Sequence, residues 1–361
     1  MTERHLCVFL DRLDGGGAER VLVTIANALS ERHRVDLVVA CEGGVLEDLV
    51  DSKVRFIRLR AARTAQSLPA LVRYLRSSRP EALLTGKVNA NGIAAMAGKI
   101  ARTGTRIVIS EHSLVRTSKR ATRIKEVTEP AMIRWLYPRA DHLVAVSPSA
   151  AEEVARTARL PASAVQVIPN PVIDRDFTLR ASEEVPHPFS GSQEPLIVAM
   201  GRLEPIKGFD DLLRAMAPLQ DLCPARLVIL GDGSERQSLE KLVDELGLAD
   251  RVSLPGFSAN PLPLLRAADL FCMSSHSESL GNVMIEALAV GTPVLARNAP
   301  GGPQHILSGT LPDCLIDDFS PGALARALHA ALSSPPRIDG LSLEQYRTDT
   351  VVRAYEQALL P

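Results

Sequence analysis

The chain has 361 residues, 46% hydrophobic and 23% charged, with 41 basic against 42 acidic side chains and a net charge of −1. That length exceeds one ordinary core and fits two domains, and the composition excludes a disordered or fibrous chain. The balanced charge gives no global field toward nucleic acid, so no nucleic-acid partner is expected.

The five cysteines (Cys7, Cys41, Cys223, Cys272, Cys314) are scattered and never spaced as CxxC. Neither a disulfide framework nor a zinc knuckle is expected, and a reducing cytoplasm is. The opening MTERHLCVFLDRLDGGG lacks the apolar core of a signal peptide. No apolar run approaches the roughly 20 residues a membrane helix requires, so a soluble or peripheral protein is expected.

Short β-rich runs alternate with amphipathic stretches. Strands are predicted at 6–10, 35–40, 54–59, 82–85, 106–110, 142–146 and 165–169. Between the first two, Ala18, Val21, Leu22, Ile25, Ala26 and Leu29 recur at helical spacing. SEEVPHPFSGSQEP (182–195) breaks the pattern and reads as a linker. The alternation resumes with strands at 196–200, 226–230, 252–255, 270–273 and 293–296. Nearly continuous apolar strands separated by helices predict an α/β protein with parallel sheets covered on both faces. The expected division is a domain over 1–181, the linker 182–195, a second domain over 196–340, and a last helix within 341–361. That helix either closes the second domain or crosses back to the first.

Glycine-rich turns follow strands at GGGAER (15–20) and GDGSER (231–236), one in each half. Such turns bring backbone amides to an anion at a helix start, or simply connect strand to helix tightly. Arg20 and Arg236 replace the third glycine of a dinucleotide fingerprint, so neither turn argues for NAD. In GRLEPIKGFDDLLRA (201–215), Arg202 and Lys207 follow a strand, where open α/β sheets bind ligands. The pair suits a diphosphate, or is a pair of surface cations near Glu204 and Asp210. In ESLGNVMIEALAVGTPV (278–294), Glu278 precedes a helix predicted to begin near Gly281, with Glu286 two turns in. The free amides of Leu280, Gly281, Asn282 and Val283 form a second anion cradle, and carboxylates accept vicinal hydroxyls well. Cations and amides for a diphosphate, flanked by acids for sugar hydroxyls, describe a nucleotide sugar.

Taken together, Glu278-x7-Glu286, Gly201-Arg202 with Lys207, Gly231-Asp232-Gly233 and the early Gly-Gly-Ala-Glu resemble the retaining GT-B glycosyltransferases of family 4, across both halves and in order. The resemblance implies two facing Rossmann-like domains, no metal and no cofactor, with a nucleotide sugar as co-substrate, UDP-sugar favoured over GDP-sugar. It implies Arg202 and Lys207 on the diphosphate, Glu286 on the ribose and Glu278 on the transferred sugar. The backbone around Gly256, Phe257 and Ser258 would frame the base, and Gly16, Gly17, Gly201 and Gly231 would line the donor site. In the first half, SEHS (110–113) puts Glu111 and His112 on the acceptor side, His112 matching a histidine beside the reacting sugar. The pairing of GGAERVLVTIANAL with ISEHS resembles bacterial members that extend lipid-linked oligosaccharides, often with N-acetylhexosamines.

The function expected is transfer of a hexose or N-acetylhexosamine, with retention, to a lipid-linked or polysaccharide acceptor. A UDP-sugar 2-epimerase of the same fold and a non-catalytic nucleotide-sugar-binding protein are the alternatives. The acid pairs Asp210-Asp211 and Asp317-Asp318 are not DxD motifs and read as solvated turn or helix acids. The basic run VRTSKRATRIK, continued by IRWLYPR, makes 116–139 either a segment touching anionic lipid at the inner membrane face or a solvated helix face.

Overall fold

In the computed structural model, which describes residues 3–113, 123–338 and 340–361, the alternation of apolar runs and amphipathic stretches becomes strands and α-helices that alternate along most of the chain. The chain divides into two compact units, residues 1–171 with 344–361, and 172–343. The first unit contains β1 (His5–Leu10), α1 (Gly17–Leu29), β2 (Arg34–Val39), β3 (Arg55–Arg58), α2 (Leu68–Ser78), β4 (Ala82–Gly86) and α3 (Val88–Ala101). It continues with β5 (Arg106–Glu111), α4 (Arg123–Leu136), β6 (His142–Ala145), α5 (Pro148–Ala158) and β7 (Val165–Val167).

These strands form one parallel sheet in the order β3-β2-β1-β4-β5-β6-β7. Successive side chains point to opposite faces. Cys7 and Phe9 of β1 and Ile107 and Ile109 of β5 pack with Leu75 of α2 and Val154 of α5. Leu6, Val8 and Val108 pack on the other face, against Leu22 and Ile25 of α1. Burial on both faces accounts for the continuous apolar strands.

The second unit contains α6 (Phe177–Ala181), β8 (Leu196–Met200), α7 (Phe209–Gln220), β9 (Arg226–Leu230), α8 (Arg236–Glu245), β10 (Val252–Gly256), α9 (Leu262–Ala267) and β11 (Leu270–Met273). It ends with α10 (Asn282–Ala289), β12 (Val294–Arg297), α11 (Gly302–Leu307), β13 (Leu315–Ile316) and α12 (Pro321–Ser333). Its parallel sheet runs β10-β9-β8-β11-β12-β13. Ile197, Leu227, Leu270 and Leu295 pack on Leu212 and Met216 of α7 and Leu324 and Leu328 of α12. Each sheet is doubly wound and reverses its strand order once, at β1/β4 and at β8/β11.

The division differs from the expected one. The first crossing falls between Pro171 and Val172, so 182–195 lies inside the second unit. The cause is α6: Asn260, beside α9, donates to the Arg180 carbonyl at 2.9 Å, and Arg180 pairs with Asp174 at 2.6 Å. The irregular stretch is itself held there, because Glu194 pairs with Arg226 at 2.5 Å and Arg251 at 2.6 Å. Of the two placements left open for the last helix, α13 (Thr348–Leu359) takes the first unit, burying Val351, Val352 and Tyr355 against the α1 face of the sheet. β13, two half-buried residues, answers to no predicted strand.

In the second unit Gly231 is a geometric necessity. Its φ is +137° and a Cβ there would stand 1.9 Å from the Gly201 carbonyl oxygen. Substituting alanine therefore adds left-handed strain and a backbone clash. Gly231→Ala is expected to lower the unfolding free energy by at least about 1–3 kcal/mol, read as a lower urea midpoint at unchanged m-value.

Candidate active site

Open parallel sheets bind ligands outside the carboxyl ends of their strands where the winding reverses. In the second unit that point lies between β8 and β11, and the predicted residues gather in the two loops leaving these strands. Gly208, at φ +60°, lets the loops touch: a Cβ there would be 2.5 Å from the Ser274 carbonyl oxygen. Ser274 Oγ donates to the Lys207 carbonyl at 2.7 Å, and the His276 amide donates to the Ile206 carbonyl at 2.8 Å. Across this seam Lys207 Nζ donates to Glu278 Oε2 at 2.6 Å, with the two side chains 18% and 19% exposed. The Lys207 stem lies over Gly201, where a Cβ would be 3.3 Å from its Cε. Arg202, from the same loop, is exposed.

Glu278 is fixed from behind by a segment that carried no expectation. Pro300-Gly301-Gly302, after β12, forms a parallel bridge to it, with the Gly302 amide donating to the Glu278 carbonyl at 2.9 Å. A Cβ on Gly302 would stand 1.8 Å from the Leu280 carbonyl oxygen, so the contact requires glycine. The expected helix is α10, capped by Gly281 at φ +87°. Its first intrahelical bonds run from the Met284 and Ile285 amides to the Gly281 carbonyl, at 3.0 and 3.2 Å. The amides of Leu280, Gly281, Asn282 and Val283 precede them, at the positive end of the helix. Glu286 is half-buried on the second turn.

The Gly231-Asp232-Gly233 turn, expected to line the donor site, is bonded to its neighbouring loops. The Gly231 amide donates to the Gly256 carbonyl at 2.8 Å, and the Asp232 carbonyl accepts from Leu203 at 2.9 Å. The turn thus braces the loop carrying Arg202 while its Gly231 amide is engaged inside the protein. Gly256 has φ +97°, and Phe257 beside it is 73% exposed. Asp211 is not the solvated acid that was expected. It accepts from Arg297, whose Nε also donates to the Ser274 carbonyl at 3.0 Å. The other acid pair does consist of turn residues, Asp317 accepting from Asn298 at 2.7 Å and Asp318 from the Ser320 amide at 2.9 Å.

In the first unit the corresponding reversal lies between β1 and β4. The Gly15–Gly17 turn leads into α1, and the Gly16 amide donates to the buried Glu19 carboxylate. Lys87, after β4, pairs with Glu19 at 2.6 Å and Asp11 at 3.0 Å, while holding φ +79°. Burial pulls the Lys87 pKa down, but the two carboxylates more than offset this and leave it raised. Gly17 is exposed with open space around it, so the fold does not demand a glycine there.

His112 sits at the end of β5, beside Gly86, where a Cβ would press to 3.1 Å from its Cδ2. Its Nε2 lies 3.0 Å from Ser110 Oγ and its Nδ1 3.1 Å from Asn170 Oδ1. Burial lowers its pKa to about 4, against a smaller upward push from Asn170, so the ring is neutral at pH 7. Glu111 is 1% exposed and turned inward. It accepts from Ser113 Oγ at 2.6 Å and Tyr137 OH at 2.5 Å, and burial raises its pKa despite these bonds. A buried, hydrogen-bonded Glu111 braces the loop and does not present its carboxylate to an acceptor.

Tyr137 corrects a second expectation. Of the stretch 116–139, residues 116–122 lie outside the described residues. Trp135 is 60% exposed, with the Arg134 guanidinium 5.4 Å from its ring centroid. Tyr137 is buried, with its hydroxyl on Glu111 and accepting from Asn91 at 2.8 Å, so it is no interfacial aromatic.

The family model described as Glycosyl transferases group 1 matches residues 182–348, and that described as Glycosyltransferase Family 4 matches residues 15–175. The lipopolysaccharide core biosynthesis glycosyltransferase LpsE of Rhizobium meliloti is 29% identical, covering 87% of this chain and 84% of its own. The N-acetylgalactosamine-N,N'-diacetylbacillosaminyl-diphospho-undecaprenol 4-alpha-N-acetylgalactosaminyltransferase of Campylobacter jejuni is 27% identical, covering 84% of this chain and 83% of its own. Among solved structures, Anabaena Alr3699/HepE in complex with UDP has a similar fold, with a TM-score of 0.78 at 20% identity over 98% of this chain and 99% of its own.

The neutral His112 makes stability depend on pH in a stated direction. The unfolded imidazole takes up its proton near 6.5 and the folded one only near 4, so stability falls as pH drops through that window. His112→Gln is expected to remove this component. The check is the difference in urea midpoint between about pH 7 and about pH 5, which should be smaller in the variant than in the wild type.

Proposed function

The chain belongs to the glycosyltransferases described by the group 1 and family 4 models, which between them match both units, and on that premise we propose that it transfers a hexose or N-acetylhexosamine from a UDP-sugar, with retention and without metal, to a lipid-linked or polysaccharide acceptor. The observation that carries the reading is the Lys207–Glu278 pair at the β8/β11 reversal, directly ahead of the α10 amides. It joins a diphosphate-binding cation to a hydroxyl-binding acid at the place where such a sheet takes its ligand. The UDP complex of Alr3699/HepE and the diphospho-undecaprenol acceptor in the name of the Campylobacter relative favour the donor and acceptor classes chosen.

Lys207, the exposed Arg202 and the α10 amides bind the diphosphate and stabilise the charge that builds on it as the glycosidic bond breaks. With that charge met by fixed donors, the departing phosphate takes the acceptor's proton on the face it leaves, which preserves configuration. Glu286, held rigidly in α10, reads the ribose. Glu278 reads the transferred sugar, and Phe257 with the Gly256 backbone frames the base. In the first unit, Gly17 gives a ligand close approach to the start of α1, and His112 serves the sugar near its reacting carbon. The exposed Trp135 with Arg134 supports a peripheral placement on the inner membrane face. No helix among the described residues is long and apolar enough to cross a membrane.

The two glutamates separate by role. Glu286→Gln is expected to weaken both UDP and the intact donor about tenfold or more, the worth of one charge-assisted hydrogen bond. Glu278→Gln is expected to leave UDP affinity unweakened while lowering turnover and relaxing choice among sugars epimeric at one hydroxyl. Calorimetry with UDP and turnover with a panel of UDP-sugars check both.

Turnover is expected to persist in excess EDTA, and proton NMR of the product is expected to show the donor's anomeric configuration. Loss of activity restored by magnesium or manganese, or an inverted product, contradicts the reaction class.

A further inference from the structure

A polar chain in the first unit runs behind His112 and brings together residues distant in sequence. Tyr355 of α13 is fully buried, and its hydroxyl lies 2.7 Å from Ser110 Oγ. Ser110 is also fully buried, and its Oγ lies 3.0 Å from His112 Nε2. On the far side of the ring, Nδ1 meets Asn170 Oδ1 at 3.1 Å, and Asn170 is 7% exposed.

With the Asn170 carboxamide oxygen turned to the ring, the direction of each bond in this chain follows. A carboxamide oxygen only accepts, so Nδ1 carries the proton. A neutral imidazole then has a bare Nε2, which only accepts, so the Ser110 hydroxyl donates to it. With its one proton spent on His112, Ser110 Oγ accepts from the Tyr355 hydroxyl. The reverse polarity would require the Asn170 carboxamide turned over, with its Nδ2 donating to a bare Nδ1.

We propose that Tyr355 and Ser110 are positioning residues that hold His112 as the Nδ1–H tautomer, with its Nε2 lone pair occupied by the Ser110 hydroxyl. The ring is therefore no proton acceptor in the resting protein, and the last helix of the chain sets its state. The importance of this chain for turnover rests on the proposed role of His112 in transfer; its importance for the tautomer does not.

The two isosteric or smaller variants Tyr355→Phe and Ser110→Ala each delete one hydroxyl. The test reads the imidazole 15N shifts of selectively labelled wild type and variants at pH 7, with the His112 signals assigned by their loss in His112→Gln. The wild type is expected to show a protonated Nδ1 and an unprotonated Nε2. In Ser110→Ala, and less so in Tyr355→Phe, the two shifts should move toward each other as the second tautomer is populated. In the same variants kcat should fall about two- to tenfold, the equivalent of one neutral hydrogen bond, with the donor KM unchanged.

A wild-type spectrum of the Nε2–H tautomer or of an imidazolium overturns the proposal, and it does so even if a variant fails to fold. So does an unchanged pair of 15N shifts in both folded variants. Unchanged kcat in His112→Gln would instead overturn the role of His112 in transfer, and the wild-type spectrum would still decide the hydrogen-bond chain.

Discussion

The ion pair between Lys207 and Glu278 joins the two loops at the second unit's sheet reversal. It exists because the sheet reverses its winding between β8 and β11, so that loops from strands far apart in sequence leave the same edge side by side. Glycine closes the gap. Gly208 admits the Ser274 backbone, Gly302 admits the Leu280 carbonyl, and Gly231 admits the Gly201 carbonyl. Each of these contacts forbids a side chain, and together they hold a cation and an acid with little freedom to move. A pair so constrained loses little conformational entropy when a ligand arrives. It also keeps the Lys207 ammonium aimed across the seam at the Glu278 carboxylate.

The first unit solves a different problem at its own reversal. Its polar groups are satisfied internally: Glu19 by the Gly16 amide and Lys87, Glu111 by Ser113 and Tyr137, and His112 by Ser110 and Asn170. Burial then keeps His112 neutral at pH 7. The last helix belongs to this arrangement. Besides Tyr355, its Glu356 pairs with His33 at 2.8 Å and Arg32 at 3.0 Å, and the Ala358 carbonyl accepts from Arg106 at 2.9 Å.

The parts that were legible in the sequence are those set by local pattern. Apolar runs such as LIVAM and RLVIL mark β8 and β9 to the residue, because a strand buried on both faces has no alternative composition. Gly281 marked the start of α10 because a left-handed cap is a glycine's place. What escaped depends on long-range company. Asp211 looked like an ordinary first-turn helix acid until Arg297 arrived from 86 residues away. Tyr137 sat among cations, as an interfacial aromatic would, yet its hydroxyl is the partner of Glu111. The crossing at Pro171 was masked by a more conspicuous polar stretch at 182–195, whose composition resembles a linker although Glu194 ties it down. Asn170 and Tyr355 lie 58 and 245 residues from the groups they engage, and no periodicity announces them.

The central claim is that Lys207 is shared between Glu278 and the donor's diphosphate. Calorimetric titration of UDP into Lys207→Met, Glu278→Gln and the double variant tests it most directly. The account predicts that Lys207→Met loses about tenfold or more in affinity, that Glu278→Gln loses none because it removes only the competitor for the ammonium, and that the double variant binds no more weakly than Lys207→Met. Wild-type affinity for UDP in Lys207→Met would contradict it.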